Sequence, residues 1–309
     1  MPSPLALNLS QLQVLLTVVE TGSFAAAARR LNRATSAISY AVDTLEAQLG
    51  LALFERDATR RPRLTREGEA VVSEARSIAH GADMLRARVK GLTEGLEAEV
   101  SLALDEMFPA ARLVALLKGF NTRFPTVPVR LKLDVLGGIE RLVRSGDWEI
   151  GVGGVLHMEG HGLTQIPLDS PRLIPVAAAG HPLAKAGRTG LGATREHLQL
   201  VLSEHDPGNR RDFGVVGAKV WRVGDLASKL ALLRSGLGWG GMPEPMVRAD
   251  IAAGRLVHLD LLDWRGGEYP MQVVHRGDSP PGPAGHWLIA QLVEQAASGF
   301  TAECGLAAG

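Results

Sequence analysis

Apolar residues near the start of the chain recur at helical rather than strand spacing. Leu12, Leu15, Leu16 and Val19 follow Asn8 and Ser10 and end at Gly22, a natural helix stop, which predicts a first helix. Ser23 then stands as the cap of a second, whose Phe24, Ala27, Ala28 and Leu31 form one buried stripe. Its alanines leave room for another helix to approach closely. After the turn Asn32-Arg33-Ala34, Thr35 is expected to cap a third helix with Ile38, Val42, Leu45 and Leu49 inward and Gly50 at its end. The outer face of that helix is polar, carrying Ser36, Ser39, Tyr40 and Asp43. Leu53-Phe54 and Arg63-Leu64 read as two short strands around a turn that holds Thr59, Arg60 and Arg61. A rigid three-helix support that projects short donors and acceptors, followed by a basic hairpin, is the pattern of a winged helix-turn-helix.

From Val71 the apolar positions are Val71, Ala75, Ile78, Ala82, Leu85, Val89 and Leu92, in alternating steps of four and three. A period of about 3.5 predicts a heptad seam and a partner helix, so this segment is expected to dimerise. Gly91 and Gly95 close it. Beyond it, strand and helix patterns alternate. A strand at 100–104 precedes a helix from Pro109 to Phe124; a strand from Val127 to Leu133 leads into a helix bearing Ile139, Leu142 and Val143, and a strand follows near Trp148 to Val152. A second series begins at Arg172 to Ala178 and continues at Leu198 to Leu202, at Lys219 to Val223 and in a helix from Asp225 to Arg234. The fold class is therefore α/β, with sheets expected to be largely parallel and wound. The domains read as 1–66, a linker helix at 67–95, and a two-lobed region at 96–309.

In wound sheets ligands settle beyond the carboxyl ends of strands, where helix starts offer free N–H groups. Those ends are Asp105, Glu106, Met107 and Phe108, then Leu136 and Gly137, then Gly153, and in the second lobe Ser203 and Glu204. The turn from Asp105 to Phe108 and Ser203 are the leading candidates. Acids at two of these ends point to a ligand bearing N–H or cationic groups.

Charge alters the picture only locally. The 309 residues carry 33 basic and 33 acidic side chains, so no overall basic coat exists. Yet Arg56, Arg60, Arg61, Arg63 and Arg66 crowd one short stretch against Asp57 alone, about +4 in net charge. Arginines at a hairpin tip suit phosphates or a narrow minor groove. No apolar run of membrane-spanning length and no signal-like start is present, so a cytoplasmic protein without membrane contact is expected. Cys304 is the only cysteine and cannot pair internally.

Four stretches together resemble the LysR-type transcriptional regulators: SFAAAARRL (Ser23 to Leu31), TSAISYAVDTLEAQLG (Thr35 to Gly50), LFER (Leu53 to Arg56) and LTREG (Leu64 to Gly68), in that family's order and spacing. The resemblance implies that Thr35, Ser36, Ser39 and Tyr40 lie at double-stranded promoter DNA. It implies that a wing arginine, Arg60 or Arg61, reaches the minor groove, and Arg56, Arg60 and Arg61 are all expected at the duplex. Thr35 and Tyr40 stand where many members carry Gln or Arg, so base preference does not transfer. FNTRFPTV (Phe120 to Val127), AGHPLA (Ala179 to Ala184) and SGLGWGGMP (Ser235 to Pro243) resemble the family's periplasmic-binding-protein-like sensor. That sensor implies an effector cleft between lobe I (96–169 and 269–309) and lobe II (170–268), with crossings near 168–171 and 265–270. Linker helices in the family pair, and dimers commonly build tetramers.

No chemistry of turnover is legible. His157 and His161 lie among glycines without a metal-site pattern, no phosphate loop follows Gly236 to Gly241, and no nucleophile elbow occurs. No cofactor and no metal are expected. Trp148, Trp221, Trp239 and Trp264 read as core, with Trp221 or Trp239 placed to face the cleft. A constitutive DNA-binding protein, or an enzyme with an appended DNA module, stay open as other classes.

Overall fold

The computed structural model of the chain describes residues 7–55, 62–154, 162–203 and 214–297. Arg56, Arg60, Arg61, His157, His161, Glu204 and Cys304 lie outside the described residues. Two compact units are formed, Met1–Lys90 and Gly91–Gly309.

In the first unit α1 (Leu9–Thr21) is opened by a capping box, in which the side chain of Asn8 accepts from Ser10 N–H and Gln11 reaches back to Asn8 N–H. Gly22 ends it in the left-handed region at φ 69°. Ser23 caps α2 (Phe24–Leu31) through Ala26 N–H at 3.1 Å. One expectation fails at the start of α3 (Thr35–Leu49): Thr35 is its first residue rather than its cap, because Ala34 occupies the cap position with no side-chain bond. Helix α1 is buried on two sides. Leu12 and Leu15 pack with Leu45, Leu53, Val72 and Ala75, while Val14 and Val18 pack with Ala27, Ala28, Ile38 and Val42. That central position explains why its apolar residues exceed a single stripe.

Helix α4 (Arg66–Thr93) behaves in two ways along its length. Its first turns join the core through Ala75 and through Val72, a residue outside the heptad seam. Further along, Ile78, Leu85, Val89 and Leu92 are all exposed, Leu85 at 63%.

The second unit runs β1 (Val100–Asp105), α5 (Ala110–Arg123), β2 (Val129–Asp134), α6 (Gly138–Arg144), β3 (Ile150–Gly154) and β4 (Leu163–Pro167). It continues with β5 (Arg172–Ala178), α7 (Pro182–Lys185), β6 (Leu198–Leu202), β7 (Lys219–Val223), α8 (Leu226–Arg234), β8 (Trp239–Pro243) and α9 (Glu244–Ala252). It closes with β9 (Leu256–His258), β10 (Gly267–Glu268), β11 (Met271–Arg276) and α10 (Pro283–Ala297). One sheet has the order β2-β1-β3-β11-β4, and the other β10-β5-β8-β6-β7 with β9 also on β5.

Both sheets are mixed, which corrects the expectation of largely parallel ones. β1 pairs parallel with β2 and β3, but β11 runs antiparallel to β3 and β4. In the other sheet β6 is parallel to β7 and β8, whereas β5 is antiparallel to β8, β9 and β10. In the first sheet the cause is the double crossing: the chain leaves at the end of β4 and re-enters as β11 at that same end, so it runs back antiparallel to β4 and β3. No periodicity in a single strand encodes that direction.

Candidate functional site

The outer face of α3 is held from behind by its own apolar stripe. Ile38, Val42 and Leu45 are buried, Thr35 and Ser36 are exposed, Ser39 is half-buried, and Tyr40 stands 74% exposed. Behind this face the hairpin is anchored by a group that pattern reading missed. Glu46, on the inner side of α3, accepts from Leu53 N–H at 2.6 Å and Phe54 N–H at 3.2 Å. Phe54 pairs antiparallel with Leu64, and Glu55 N–H donates to the Arg63 carbonyl at 2.8 Å. A carboxylate midway along an otherwise apolar helix flank was the available signal.

The LTREG stretch also acquires a local cause. Thr65 O–H donates to the Ala52 carbonyl at 2.7 Å, and Thr65 Oγ1 accepts from Gly68 N–H at 2.9 Å, so this residue ties the hairpin to the start of α4.

In the second unit the chain crosses between sheets at 168–171 and at 269–270. The second crossing is narrower than expected, because Gly267 and Glu268 already pair with β5. The two run side by side: Leu168 N–H donates to the Met271 carbonyl and Tyr269 N–H to the Pro171 carbonyl, each at 2.9 Å. Arg112 of α5, itself buried, grips Asp169 with one nitrogen 2.9 Å from each carboxylate oxygen.

Tyr269 locks the second crossing to the end of β1. Its ring lies where a Cβ on Gly154 would be, and its hydroxyl donates to Asp105 Oδ2 at 2.9 Å. Asp105 is fully buried and also accepts from Met107 N–H at 2.9 Å. Burial, outweighing these bonds, pushes its carboxyl up to about 7. Glu106 reaches across to the other sheet's lobe, where its carboxylate accepts from Leu226 N–H, the first residue of α8, at 2.6 Å. Burial raises the Glu106 carboxyl above its ordinary range, and the nearby charges of Asp225 and Asp134 add to that. Asp105 and Glu106 are thus already engaged by the protein, while the acid at the other strand end, Glu204, lies outside the described residues.

Between the lobes, Met107 and Leu136 from one side meet Gln199, Lys229 and Trp264 from the other around a cavity of about 20 Å³. Such a space holds one water, so this form of the cleft is closed. Leu136 is buried with a positive φ of 53°, a conformation uncommon for a bulky residue. Phe108 packs half-buried against the core; Gly137 and Gly153 are buried; Ser203 is buried with its N–H on the Val223 carbonyl at 3.0 Å. None of these four is among the described residues lining the cavity. Of the tryptophans, Trp264 faces it rather than Trp221, which is exposed, or Trp239, which is buried with Leu183, Leu259 and Leu261.

Two family models cover this architecture: a bacterial regulatory helix-turn-helix of the lysR family over residues 9–69, and a LysR substrate binding domain over residues 93–297. The chain belongs to the LysR family. This LysR-type regulator is 25% identical over 287 residues to the transcriptional regulator AceR of Acinetobacter baumannii, covering 92% of this chain and 96% of AceR. It is 29% identical over 252 residues to the transcriptional activator AllS of Salmonella typhimurium, covering 80% of this chain and 81% of AllS. Full-length LysG of Corynebacterium glutamicum, solved with arginine as bound effector, matches the fold with a TM-score of 0.50 at 23% identity, covering 94% of this chain and 99% of LysG. The regulator is a DNA-binding transcription regulator with an effector-binding domain, and its relatives are named as regulators rather than enzymes. Among its described residues no helix is long and apolar enough to cross a membrane.

The regulator's hinge lock yields a direct test. Tyr269→Phe removes the hydroxyl from a buried carboxylate, so the second unit is expected to lose about 1–3 kcal/mol in urea unfolding. An unchanged midpoint would remove Tyr269 from the lock.

Proposed function

We propose that this LysR-type regulator binds promoter DNA in the cytoplasm as a dimer, and that a small effector between the two lobes changes that binding. Residues 1–66 form the DNA reader, 67–95 the dimerising linker and 96–309 the sensor, in lobes 96–169 with 269–309 and 170–268. Thr35, Ser36, Ser39 and Tyr40 enter a major groove, and Arg56, Arg60 and Arg61 contact phosphates or the minor groove. The sensor takes its effector near the strand ends at Asp105 to Phe108, Leu136, Gly137, Gly153, Ser203 and Glu204. Pairs of dimers assemble into tetramers.

The observation that carries this reading is the polar start of α3, held exposed above a buried Ile38-Val42-Leu45 stripe. The open apolar row on α4 supports the dimer, since Ile78, Leu85, Val89 and Leu92 all remain exposed. Paired readers reach half-sites separated by turns of roughly 34 Å, and multiply individually weak contacts. LysG's bound arginine supports a small-molecule effector on this fold. An effector shifts the lobes only through different affinities for the open and closed forms, with coupling of about 1–3 kcal/mol.

The test is a gel-shift titration of the purified protein on its own upstream region against random duplex, with and without a metabolite panel. Preference for the upstream region and its change with one metabolite are expected; equal binding to both duplexes overturns the reading. Arg60→Ala combined with Arg61→Ala is expected to weaken binding to every sequence and to flatten the salt dependence by roughly 0.9 in log–log slope per lost phosphate contact. Ser36→Ala and Tyr40→Ala should instead change the ranking of operators, and a uniform loss on all DNA would count against their role.

A further inference from the structure

Lys229 is the one lysine buried among the described residues, 4% exposed on α8. It occupies the apolar stripe of that helix, between the buried Leu226 and Leu233. Its Nζ donates to the Gly241 carbonyl at 2.7 Å, and no carboxylate is paired with it among the described residues. Lys229 lines the cavity between the lobes, beside Gln199 and the apolar surfaces of Met107, Leu136 and Trp264. Removing an ammonium from water with a single carbonyl as partner is costly, and a leucine or methionine at this position would serve the core better. Burial of the amine thus costs the fold more than an apolar side chain would, yet the residue lines the cavity where an effector is proposed to sit.

The described acids nearest the cavity do not offset this charge. Asp105 is held by Tyr269 and Met107, and Glu106 is spent on the N-terminus of α8. Among the described residues lining the cavity Lys229 is the one charged side chain, beside Gln199 and the apolar surfaces of Met107, Leu136 and Trp264.

We infer that Lys229 anchors the effector, and that the effector is a monocarboxylate with an apolar body. The carboxylate pairs with the Lys229 ammonium, and the body spreads over Met107, Leu136 and Trp264 as the lobes open. One negative charge matches the one positive charge among the described residues that line the cavity. This inference rests on the reading of the interlobe cavity as the effector site and names the chemistry recognised there.

The test uses matched acids and amides, which share shape and differ in charge: benzoate with benzamide, octanoate with octanamide, and indole-3-acetate with indole-3-acetamide. Each is added at millimolar concentration to the full-length protein and scored by thermal shift and by gel shift on the upstream region. At least one acid is expected to raise the melting temperature by roughly 3 °C or more, with its amide much weaker. Lys229→Met should weaken that acid at least tenfold, while Lys229→Arg keeps the charge and much of the response. The melting curve of each variant without ligand reports folding separately. Equal binding of acid and amide, undiminished acid binding by Lys229→Met, or no acid response at all overturns the inference. If amides alone shift both melting and DNA binding, the effector site stands and only its charge preference falls. If no compound of either kind alters melting or DNA binding, the effector reading falls with it.

Discussion

Gly68→Ala is expected to destabilise the first unit by about 3 kcal/mol or more and to abolish tight promoter binding with it. Gly68 is buried in the first turn of α4, and a Cβ there would overlap the carbonyl oxygen of Leu53. Leu53 has no freedom to retreat. Its N–H is held by Glu46, its carbonyl accepts from Thr65 N–H at 2.9 Å, and its side chain is fully buried beside Leu12, Leu15 and Leu45. Relief must break the hairpin's hydrogen bonds, displace the core or move α4 away. The better helix propensity of alanine offers only about 1 kcal/mol in return. Calorimetry of the full-length variant should show the first unit melting early while the second is unaffected. A normal first transition would mean that α4 slides to accommodate the methyl group, and the tight crossing would lose its significance.

Lys229→Met is expected to raise the stability of the second unit, by about 1–4 kcal/mol near pH 6.5, and to remove part of its pH dependence. Burial lowers the amine from its ordinary range to about 7 in the folded state. In the unfolded chain it titrates near 10.4. The native state therefore binds fewer protons than the unfolded state between those values. Below about pH 7 the fold carries the full cost of the buried ammonium, and that cost fades as pH rises toward 10. Stability attributable to Lys229 thus increases through this window in the wild type and is flat in the variant. Asp105 supplies the opposite slope at lower pH. Its raised folded value means stability that is full below about pH 4 and lost as pH rises through about 7. Melting curves taken from pH 7.5 to 10 isolate the lysine. A variant less stable than the wild type at pH 6.5 would show that the amine pairs with a charge that lowers its cost.

These effects differ in how far they were readable beforehand. The reader was legible because its information is local: a helix stripe at i, i+3, i+4 and i+7 must face a core, and the residues left over must face outward. Asn8, Ser23, Gly22 and Gly50 marked its boundaries, each satisfying or ending a helix through its own backbone neighbours. Thr35 was misplaced by one position because a threonine beside Ala34 suits either the cap or the first turn. From Ile78 onward α4 leaves an open apolar row, while its first turns turn inward to pack with Leu12 and Leu53. Periodicity alone does not say which partner a stripe will meet.

In the second unit the strands were legible and their directions were not. Alternation places Val100 to Leu104 or Arg172 to Ala178 in a sheet, but whether a neighbour runs parallel depends on where a distant segment returns. The candidate strand ends were named from the general rule for wound sheets, and tertiary packing then divided them. Met107 and Leu136 reach the cavity, whereas Asp105 is consumed by Tyr269, 164 positions away along the chain. Lys229 escaped notice although it interrupts the stripe Leu226, Leu230 and Leu233, since one lysine in a helix normally extends its head to water.

By itself, then, the order of residues determined the helix faces, the caps, the hairpin and the alternation of strand and helix, all of which arise from neighbours within about ten positions. Only the folded chain decided the mixed sheets, the paired crossings at 168–171 and 269–270, and which of the cleft's charges is left over. The physical reason is that burial and charge pairing belong to places in space. A carboxylate or an amine acquires its partner, its solvent and its proton affinity only when distant segments close around it.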